Sequence, residues 1–380
     1  MHVAHLALTD FRNYRSADVA LAPGVTVLVG PNGQGKTNLV EAIGYLASGG
    51  SHRVSSDQAL VRNGADRAFV RARLQHGERV VTIEVELNRA STNRLLVNGS
   101  AVKSREARRY LDSVLFAPED LSLVRGDPGG RRRFLDQLLA ARHPRMAGVL
   151  SDYERILRQR TTLLKSARAA RGGADLTTLD IWDDRLATTG AQIIDARTAL
   201  VAELAPHAAA AYTAIAGGDH RLELRMRSTV SGIDPEDGDE DGPGAQVDDT
   251  LAAFRDRLTA VRMRELDRGL TLVGPHRDDL EIDLNGMPAR TTASHGESWS
   301  AALSLKLASA QLLRETGPAG DPVIVLDDVF AELDAGRRAR LIDAVRSYEQ
   351  VIVTAAVAED VPAEIAGRTI GIRAGEVLDD

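Results

Sequence analysis

The sequence predicts an α/β fold: a head with a mixed sheet and an antiparallel lobe, split by an inserted helical segment that forms a short antiparallel arm. Three observations predict it. Continuous apolar runs suited to buried parallel strands lie near both ends, at Val25 to Val29 and Val323 to Leu326. Between Phe69 and Val97 the pattern alternates, as in antiparallel strands. From about Arg131 to Leu204 it is helical. The 380 residues allow two or three units at roughly 150 residues each. The expected division is 1–124 for the first part of the head, 125–268 for the inserted arm with an acidic loop at 231–247, and 269–380 for the rest of the head.

The elements follow in order. Leu6, Leu8 and Phe11 mark a short strand, and Val25 to Val29 a buried one. Leu39, Ile43 and Leu46 give Thr37 to Ala47 one apolar helical face. Phe69 to Leu74 and Val80 to Leu87 read as strands. In the second, Thr82, Glu84 and Glu86 alternate with Val81, Ile83, Val85 and Leu87. Arg94 to Val97 runs into Asn98-Gly99, a hairpin turn signal. Tyr153, Ile156, Leu157 and Leu164 form a helical stripe, Gly172-Gly173 breaks it, and Leu179, Trp182, Leu186, Ile193 and Leu200 form a returning one. A further helix spans about Asp248 to Asp267. Strands return at Glu281 to Leu284, Val323 to Leu326 and Gln350 to Thr354, with helices at Glu297 to Arg314 and Gly336 to Ser347.

Composition narrows the class. With 43% hydrophobic and 27% charged residues the chain is ordinary for a folded soluble protein. It has no cysteine, which removes disulfides, thiolate zinc sites and a cysteine nucleophile. No basic start followed by an apolar run suggests a secretory signal. The most apolar long stretch, Ala199 to Ala216, contains Glu203, Pro206 and His207 and reads as too polar to span a bilayer. The expectation is a cytoplasmic protein with no membrane partner. The net charge of −7 is unevenly spread: eight acids and no Lys or Arg lie between Ser228 and Thr250, whereas Arg125 to Arg171 holds twelve Lys or Arg against four acids. A chain of negative total charge can still bind nucleic acid through one positive face, because salt confines each charge to about 10 Å. A solvated helix face explains the same surplus.

Gly30-Pro31-Asn32-Gly33-Gln34-Gly35-Lys36-Thr37 matches the full G-x-x-x-x-G-K-[ST] pattern between a buried strand and a helix. Its glycines let successive N–H groups face phosphates, and the helix N-terminus adds positive potential. Lys36 is placed to reach the β- and γ-phosphates of ATP, and the Thr37 hydroxyl to ligate Mg²⁺. Far along the chain, Val323 to Leu326 ends in Asp327-Asp328. A carboxylate at the tip of a buried strand can hold the magnesium, a role for Asp327, while Asp328 can orient or deprotonate the attacking water. Both ends of the chain then belong to one domain.

Leu333-Asp334 resembles the dimer-contact loop of the ABC-type ATPases, and Ser294-His295-Gly296-Glu297 resembles their signature motif. In that class Ser294 and Gly296 of one subunit would face the γ-phosphate held by the other. Without the resemblance, Ser294 is a helix N-cap with Glu297 completing a capping box, and the two roles can coexist. Phe11-Arg12-Asn13-Tyr14, Phe116-Ala117-Pro118-Glu119-Asp120-Leu121, Arg131-Arg132-Arg133-Phe134-Leu135-Asp136 and Gly274-Pro275-His276-Arg277-Asp278-Asp279 are similar to the bacterial RecF family, in order over nearly the whole chain. The resemblance implies an ABC-type P-loop head related to SMC heads. It implies a DNA replication and repair ATPase that binds double-stranded DNA and gapped junctions as an ATP-dependent homodimer. It also implies work with RecO and RecR to place RecA on gaps, linked to the SOS response. Arg12 and Asn13 would lie near the nucleotide. The sequence departs from the ABC pattern in three places. The signature lacks a double glycine, Asp328 is one methylene shorter than the usual Glu, and Pro118-Glu119-Asp120 stands where a glutamine loop is expected. The shorter base implies weak, slow Mg-dependent hydrolysis.

Arg131 to Arg133 fall in the first turn of a helix, where positive charge is unfavourable by some tenths of a kcal/mol each. They either meet DNA phosphates or the opposite subunit's nucleotide, or pair with Asp127 and Asp136. The other classes weighed are a transporter's ATPase subunit, a chromosome-organising SMC-like head, for which the arm is too short, and a P-loop kinase.

Overall fold

The computed structural model describes residues 1–380 except 55, 104–105, 107–108, 170–177, 218–219, 232–248, 363–364, 366 and 379–380. The expected glycine break at Gly172-Gly173 and all of the acidic loop but Ser231 lie outside the described residues.

The N-terminal third builds an antiparallel lobe and two strands of a second sheet. Strands β1 (His2–Phe11), β2 (Tyr14–Ala20), β4 (Arg67–His76), β5 (Arg79–Asn88), β6 (Arg94–Val97) and β7 (Ser100–Ala101) form an antiparallel sheet in the order β2-β1-β4-β5-β6-β7. Period-2 alternation sets its buried face: Val70, Ala72, Leu74, Ile83 and Leu87 are fully buried. Asn98 and Gly99 both take positive φ, at 50° and 78°, and turn β6 into β7 as the dipeptide predicts. Strand β2 escapes the sequence reading because its only strongly apolar inward residue is Val19, flanked by Ala17 and Tyr14.

Between β2 and β4 the chain makes β3 (Gly24–Val29) and helix α1 (Lys36–Ser48). β3 joins β8 (Ser113–Phe116), β12 (Val323–Asp327), β13 (Gln350–Ala355), β14 (Arg368–Arg373) and β15 (Glu376–Leu378) in the order β15-β14-β3-β13-β12-β8. All run parallel except β15, which is antiparallel to β14. One domain thus takes strands from both chain ends. Being parallel and central, β12 and β13 are buried at every position. β8 is only four residues long, too short to stand out as a periodic segment.

The middle of the chain is helical: α2 (Pro128–Arg142), α3 (Met146–Ala169), α4 (Leu179–Ala216) and α5 (Thr250–Arg268). The expected unbroken helix from Arg131 stops at His143, whose φ of −127° and ψ of 84° are non-helical. The residue before Pro144 is driven out of the helical region by the proline ring. Helix α4 is long and apolar enough, by length and composition, to cross a bilayer, contrary to the reading of Ala199 to Ala216. It is nonetheless a core helix: Leu200, Leu204, Ala208, Tyr212 and Ile215 are buried in the cluster that holds α6 (His295–Thr316). Its other half packs in the arm against Tyr153, Phe254 and Leu258. Gly190 permits that approach, since a Cβ there would stand 2.5 Å from the Phe254 ring. Strand β9 (Leu222–Arg227) pairs with β10 (Asp279–Leu284), which pairs with β11 (Met287–Pro288), so a small sheet joins the middle of the chain to its C-terminal part. Helix α7 (Ala335–Val345) lies between β12 and β13.

Candidate functional site: a phosphate loop at the ends of parallel strands

The loop Gly30–Thr37 leaves the C-terminal end of β3 and opens α1. Gly33 and Gly35 take φ of 80° and 122°, which L side chains rarely adopt. Gly30 has no room for a side chain, because a Cβ would stand 2.1 Å from the Ile372 carbonyl oxygen. Pro31, Asn32 and Gly33 form the exposed outer rim. Lys36 is buried and its Nζ donates to the carbonyls of Gly30 (2.7 Å) and Pro31 (3.3 Å).

Two turns brace the loop. Asn13 Nδ2 donates to the Gln34 carbonyl at 2.9 Å and its Oδ1 accepts from Asn38 at 2.7 Å. On the other side Gly375 N donates to the Gln34 carbonyl at 3.1 Å, and Ala374 N to Gln34 Oε1 at 2.7 Å. Arg12 stands one layer further out. Its guanidinium grips the fully buried Glu41 through two bonds of 2.8 and 2.6 Å and donates to the Ala59 carbonyl at 3.1 Å. Burial pushes the Glu41 carboxyl up, but the bonds from Arg12 and Ser51 and the charge of Arg53 outweigh it and hold it below the usual range. Asn13 therefore touches the phosphate loop, whereas Arg12 acts on it by anchoring the turn. Glu41 and Asn38 were not singled out in the sequence; a buried charge on a helix's apolar face is the signal that could have found Glu41.

The residues far apart in sequence meet. Thr37 Oγ1 donates to Asp327 Oδ1 at 3.1 Å, across 290 positions. Thr354, at the tip of β13 between β3 and β12, donates to the same oxygen at 2.7 Å and accepts from Asp328 N at 3.0 Å. Thr354 also went unremarked, although a lone hydroxyl near the end of an apolar strand is a legible signal. Burial pushes the Asp327 carboxyl up to about 6; the neighbouring charges of Asp328 and Glu119 add to this, and the bonds from Thr354 and Thr37 oppose it. Asp328 has a left-handed backbone with φ of 52°. Hard oxygen donors on Thr37 and Asp327, with the Asp328 carboxylate beside them, fit Mg²⁺, which takes one or two protein oxygens and fills its shell with phosphate and water. Among the described residues no group of three or more His, Asp or Glu is assembled to hold a metal unaided.

Ser294 is exposed at the N-terminus of α6. Its Oγ accepts from Glu297 N at 3.3 Å and its N–H donates to Glu297 Oε2 at 2.8 Å, the expected capping box. Those bonds hold Glu297 below the usual carboxylate range. Gly296 packs against the α7 residue Arg337, whose guanidinium would stand 2.9 Å from an added Cβ. Arg337 bonds Ser300 at 3.0 Å and Asp334 at 2.5 Å, so the segments resembling the signature and the dimer-contact loop are locked together.

The arginine triplet divides. Arg131 is buried, bonds both oxygens of Asp279 at 2.7 Å, and donates to the carbonyls of Leu123 and Gly126. It cannot meet DNA, which corrects that expectation: its charge is neutralised by a partner 148 residues away, and the helix starts at Pro128, so the triplet follows the first three helical positions instead of opening the first turn. Arg132 is half-buried and donates to the Asp278 carbonyl at 2.7 Å. Only Arg133 is exposed. The expected partners are engaged elsewhere, Asp136 with Arg197 and Asp127 with Arg290. Beneath the arm Asp278 is buried and His276 half-buried: Tyr153 Oη lies 2.8 Å from His276 Nδ1, and Asp278 accepts from the N–H and hydroxyl of Thr229. That segment joins the arm to the head.

The RecF/RecN/SMC N terminal domain family matches residues 2–376. The chain is 59% identical to the DNA replication and repair protein RecF of Leifsonia xyli subsp. xyli, over 100% of both chains. It is 53% identical to the protein of that name from Frankia alni, covering 100% of this chain and 99% of that one. A solved structure described as the recombination mediator protein RecF-ATPrS in the RecFOR pathway aligns with a TM-score of 0.87 at 28% identity, over 99% of this chain and 97% of that one. An Smc head bound to the C-winged helix domain of ScpA aligns with a TM-score of 0.53 at 17% identity, over 99% and 97%, which shows a shared fold.

Proposed function

Because the chain belongs to the RecF family of DNA replication and repair proteins, we propose that it is an ATP-dependent recombination mediator acting with RecO and RecR, whose head closes on a second copy around ATP and grips double-stranded and gapped DNA. The meeting of Thr37 with Asp327 carries this reading, because it gathers a phosphate loop and a carboxylate at the C-terminal ends of the parallel strands.

The chemistry follows from the residues. Backbone N–H groups of Gly33 to Thr37 and the α1 N-terminus bind the triphosphate, and Lys36 trades its carbonyl partners for phosphate oxygens. Thr37 and Asp327 would hold Mg²⁺, which supplies charge neutralisation at the phosphates. The exposed cap at Ser294 and Gly296 presents a hydroxyl and free N–H groups to the γ-phosphate of the partner copy. ATP then bridges two heads, and loss of the γ-phosphate releases them. Hydrolysis is weak, depends on magnesium and is stimulated by DNA. The DNA contact is electrostatic and falls on exposed arginines such as Arg133.

Sedimentation of the wild type and of Lys36→Ala, with and without ATP and duplex DNA, tests the reading. The wild type is expected to shift to a dimer only with ATP and to bind DNA in that state. Lys36→Ala is expected to stay monomeric at matched ATP. A wild-type monomer that binds DNA equally without ATP contradicts the clamp.

A further inference from the structure

Arg337 stands in the first turn of α7, beside the exposed cap of α6. We propose that Arg337 is a positioning residue for the ATP-dependent dimer: with Ser300 and Asp334 it fixes the Ser294–Gly296 turn and the Leu333-Asp334 loop as one face for the second copy. The inference rests on the clamp reading above and adds the residue that holds the clamp's face in shape.

The contacts form a continuous relay. Asp334 caps α7, its Oδ1 accepting from Arg337 N at 2.9 Å. Its Oδ2 accepts from Arg337 Nη1 at 2.5 Å, so one carboxylate holds both the backbone and the guanidinium. Arg337 Nε then crosses to α6 and donates to Ser300 Oγ at 3.0 Å. Ser300 is fully buried and donates in turn to the Gly296 carbonyl at 3.1 Å. A helical serine can bond back to the carbonyl four residues earlier by itself. Here the arginine can only donate, so Ser300 Oγ must accept from it, and its single proton is left for Gly296. The direction of that hydroxyl, and with it the pull on the Gly296 peptide, is therefore set from α7.

The guanidinium also fills the space beside Gly296. Its Nη2, Nη1 and Cζ would stand 2.9, 3.0 and 3.2 Å from a Cβ added there. Gly296 is helical and does not take a positive φ, so within this chain the glycine answers to the guanidinium rather than to a turn. The next residue of α7 holds the other segment, Arg338 Nε donating to the Leu333 carbonyl at 2.8 Å. In the clamp, the Ser294 hydroxyl and the N–H groups of the cap must all point at one phosphate across an interface. Hydrogen bonds weaken steeply with misalignment, so a cap that can drift from the contact loop loses that geometry.

Three measurements on the full chain test this. Sedimentation over a concentration series with ATPγS and Mg²⁺ reads the dimer's dissociation constant, fluorescent-nucleotide titration reads the monomer's ATP affinity, and a denaturant titration reads folding. Arg337→Ala is expected to weaken the dimer by about tenfold or more, the loss of a charged hydrogen bond, and to leave ATP affinity within about twofold. Arg337→Lys keeps the charge but cannot span Ser300 and Asp334, so it is expected to weaken the dimer nearly as much. Ser300→Ala is expected to weaken it by about threefold or more. The double variant is expected to be no weaker than Arg337→Ala alone, because both substitutions break one relay. A wild-type dimer in Arg337→Ala, full rescue by Arg337→Lys, or multiplying effects in the double variant overturn the assignment. So does a fall in ATP affinity that parallels the loss of dimer. Should Arg337→Ala lose its fold, Arg337→Lys and Ser300→Ala decide the matter by the same readings. A wild type that binds ATPγS and stays monomeric overturns the clamp reading and this inference with it. A dimerising wild type beside an unaffected Arg337→Ala overturns this inference only.

Discussion

His276 and Asp278 sit two residues apart beneath the arm, and burial moves their protonation in opposite directions. Burial pulls His276 down to about 4, and the charges of Arg277, Arg132 and Arg160 add to this against the bond with the Thr271 carbonyl. Burial pushes Asp278 up to about 6 against its bonds from Thr229 and Ser228 and the charge of Arg197. For His276 the unfolded chain binds more protons between pH 4 and 6.5, so its contribution to stability is lost as pH falls through that window. For Asp278 the folded chain binds more protons between 3.8 and 6, so stability is lost as pH rises through it. Each shift is worth about 3 kcal/mol and the two largely cancel. Denaturant titrations from pH 4 to 6.5 are expected to show Asp278→Asn losing stability more steeply on acidification than wild type, and His276→Gln less steeply. Parallel curves would show that neither group is buried as described. The type of each residue was legible, but the direction of its shift was not, because burial is a property of the packed arm.

Three arginines follow the Pro128-Gly129-Gly130 start of helix α2; a linear reading treats them alike, and packing assigns each a different part. Arg131 is an internal strut to Asp279 and to two carbonyls. Removing one partner of a buried pair strands the other charge, so Arg131→Ala is expected to cost about 3 kcal/mol in a denaturant titration. Arg133→Ala is expected to leave that midpoint unchanged, to weaken DNA binding, and to lower the salt slope by about one. Equal effects of the two substitutions on DNA affinity at matched stability would contradict the division. The long periodic elements α1, α5, β5 and β12 were legible because one face or one run is apolar. β2, β8, β9, β14 and β15 were not, since strands this short or this polar are fixed by their neighbours rather than by their own pattern.

At the scale of the whole molecule, one helix ties the arm to the ATPase head, with one half in the arm's buried cluster and the other in the head's. α4 runs unbroken from the arm to the base of α6, where Arg340 of α7 donates to the Ile215 carbonyl at 2.9 Å. The exposed Ser294 cap lies on that same α6, so the surface proposed to meet a second copy and the arm share a frame. Ser294→Ala is expected to cost about 1 kcal/mol as a lost cap and, separately, to abolish the ATP-induced dimer in sedimentation while ATP still binds the monomer. Retention of the dimer would leave Ser294 as a cap alone.

The sequence by itself determined the chemistry of the loop and the pairing of its two ends. Gly30 to Thr37 needs those residue types in that order to wrap a phosphate, and a strand ending in Asp327 is a local pattern. Only the tertiary structure decided which charges are free. Arg131, Arg12 and Asp136 are spent on partners tens to hundreds of residues away, while Arg133 and Glu119 are left exposed. Local sequence sets what a side chain can do, but distant packing sets whether solvent or substrate can reach it.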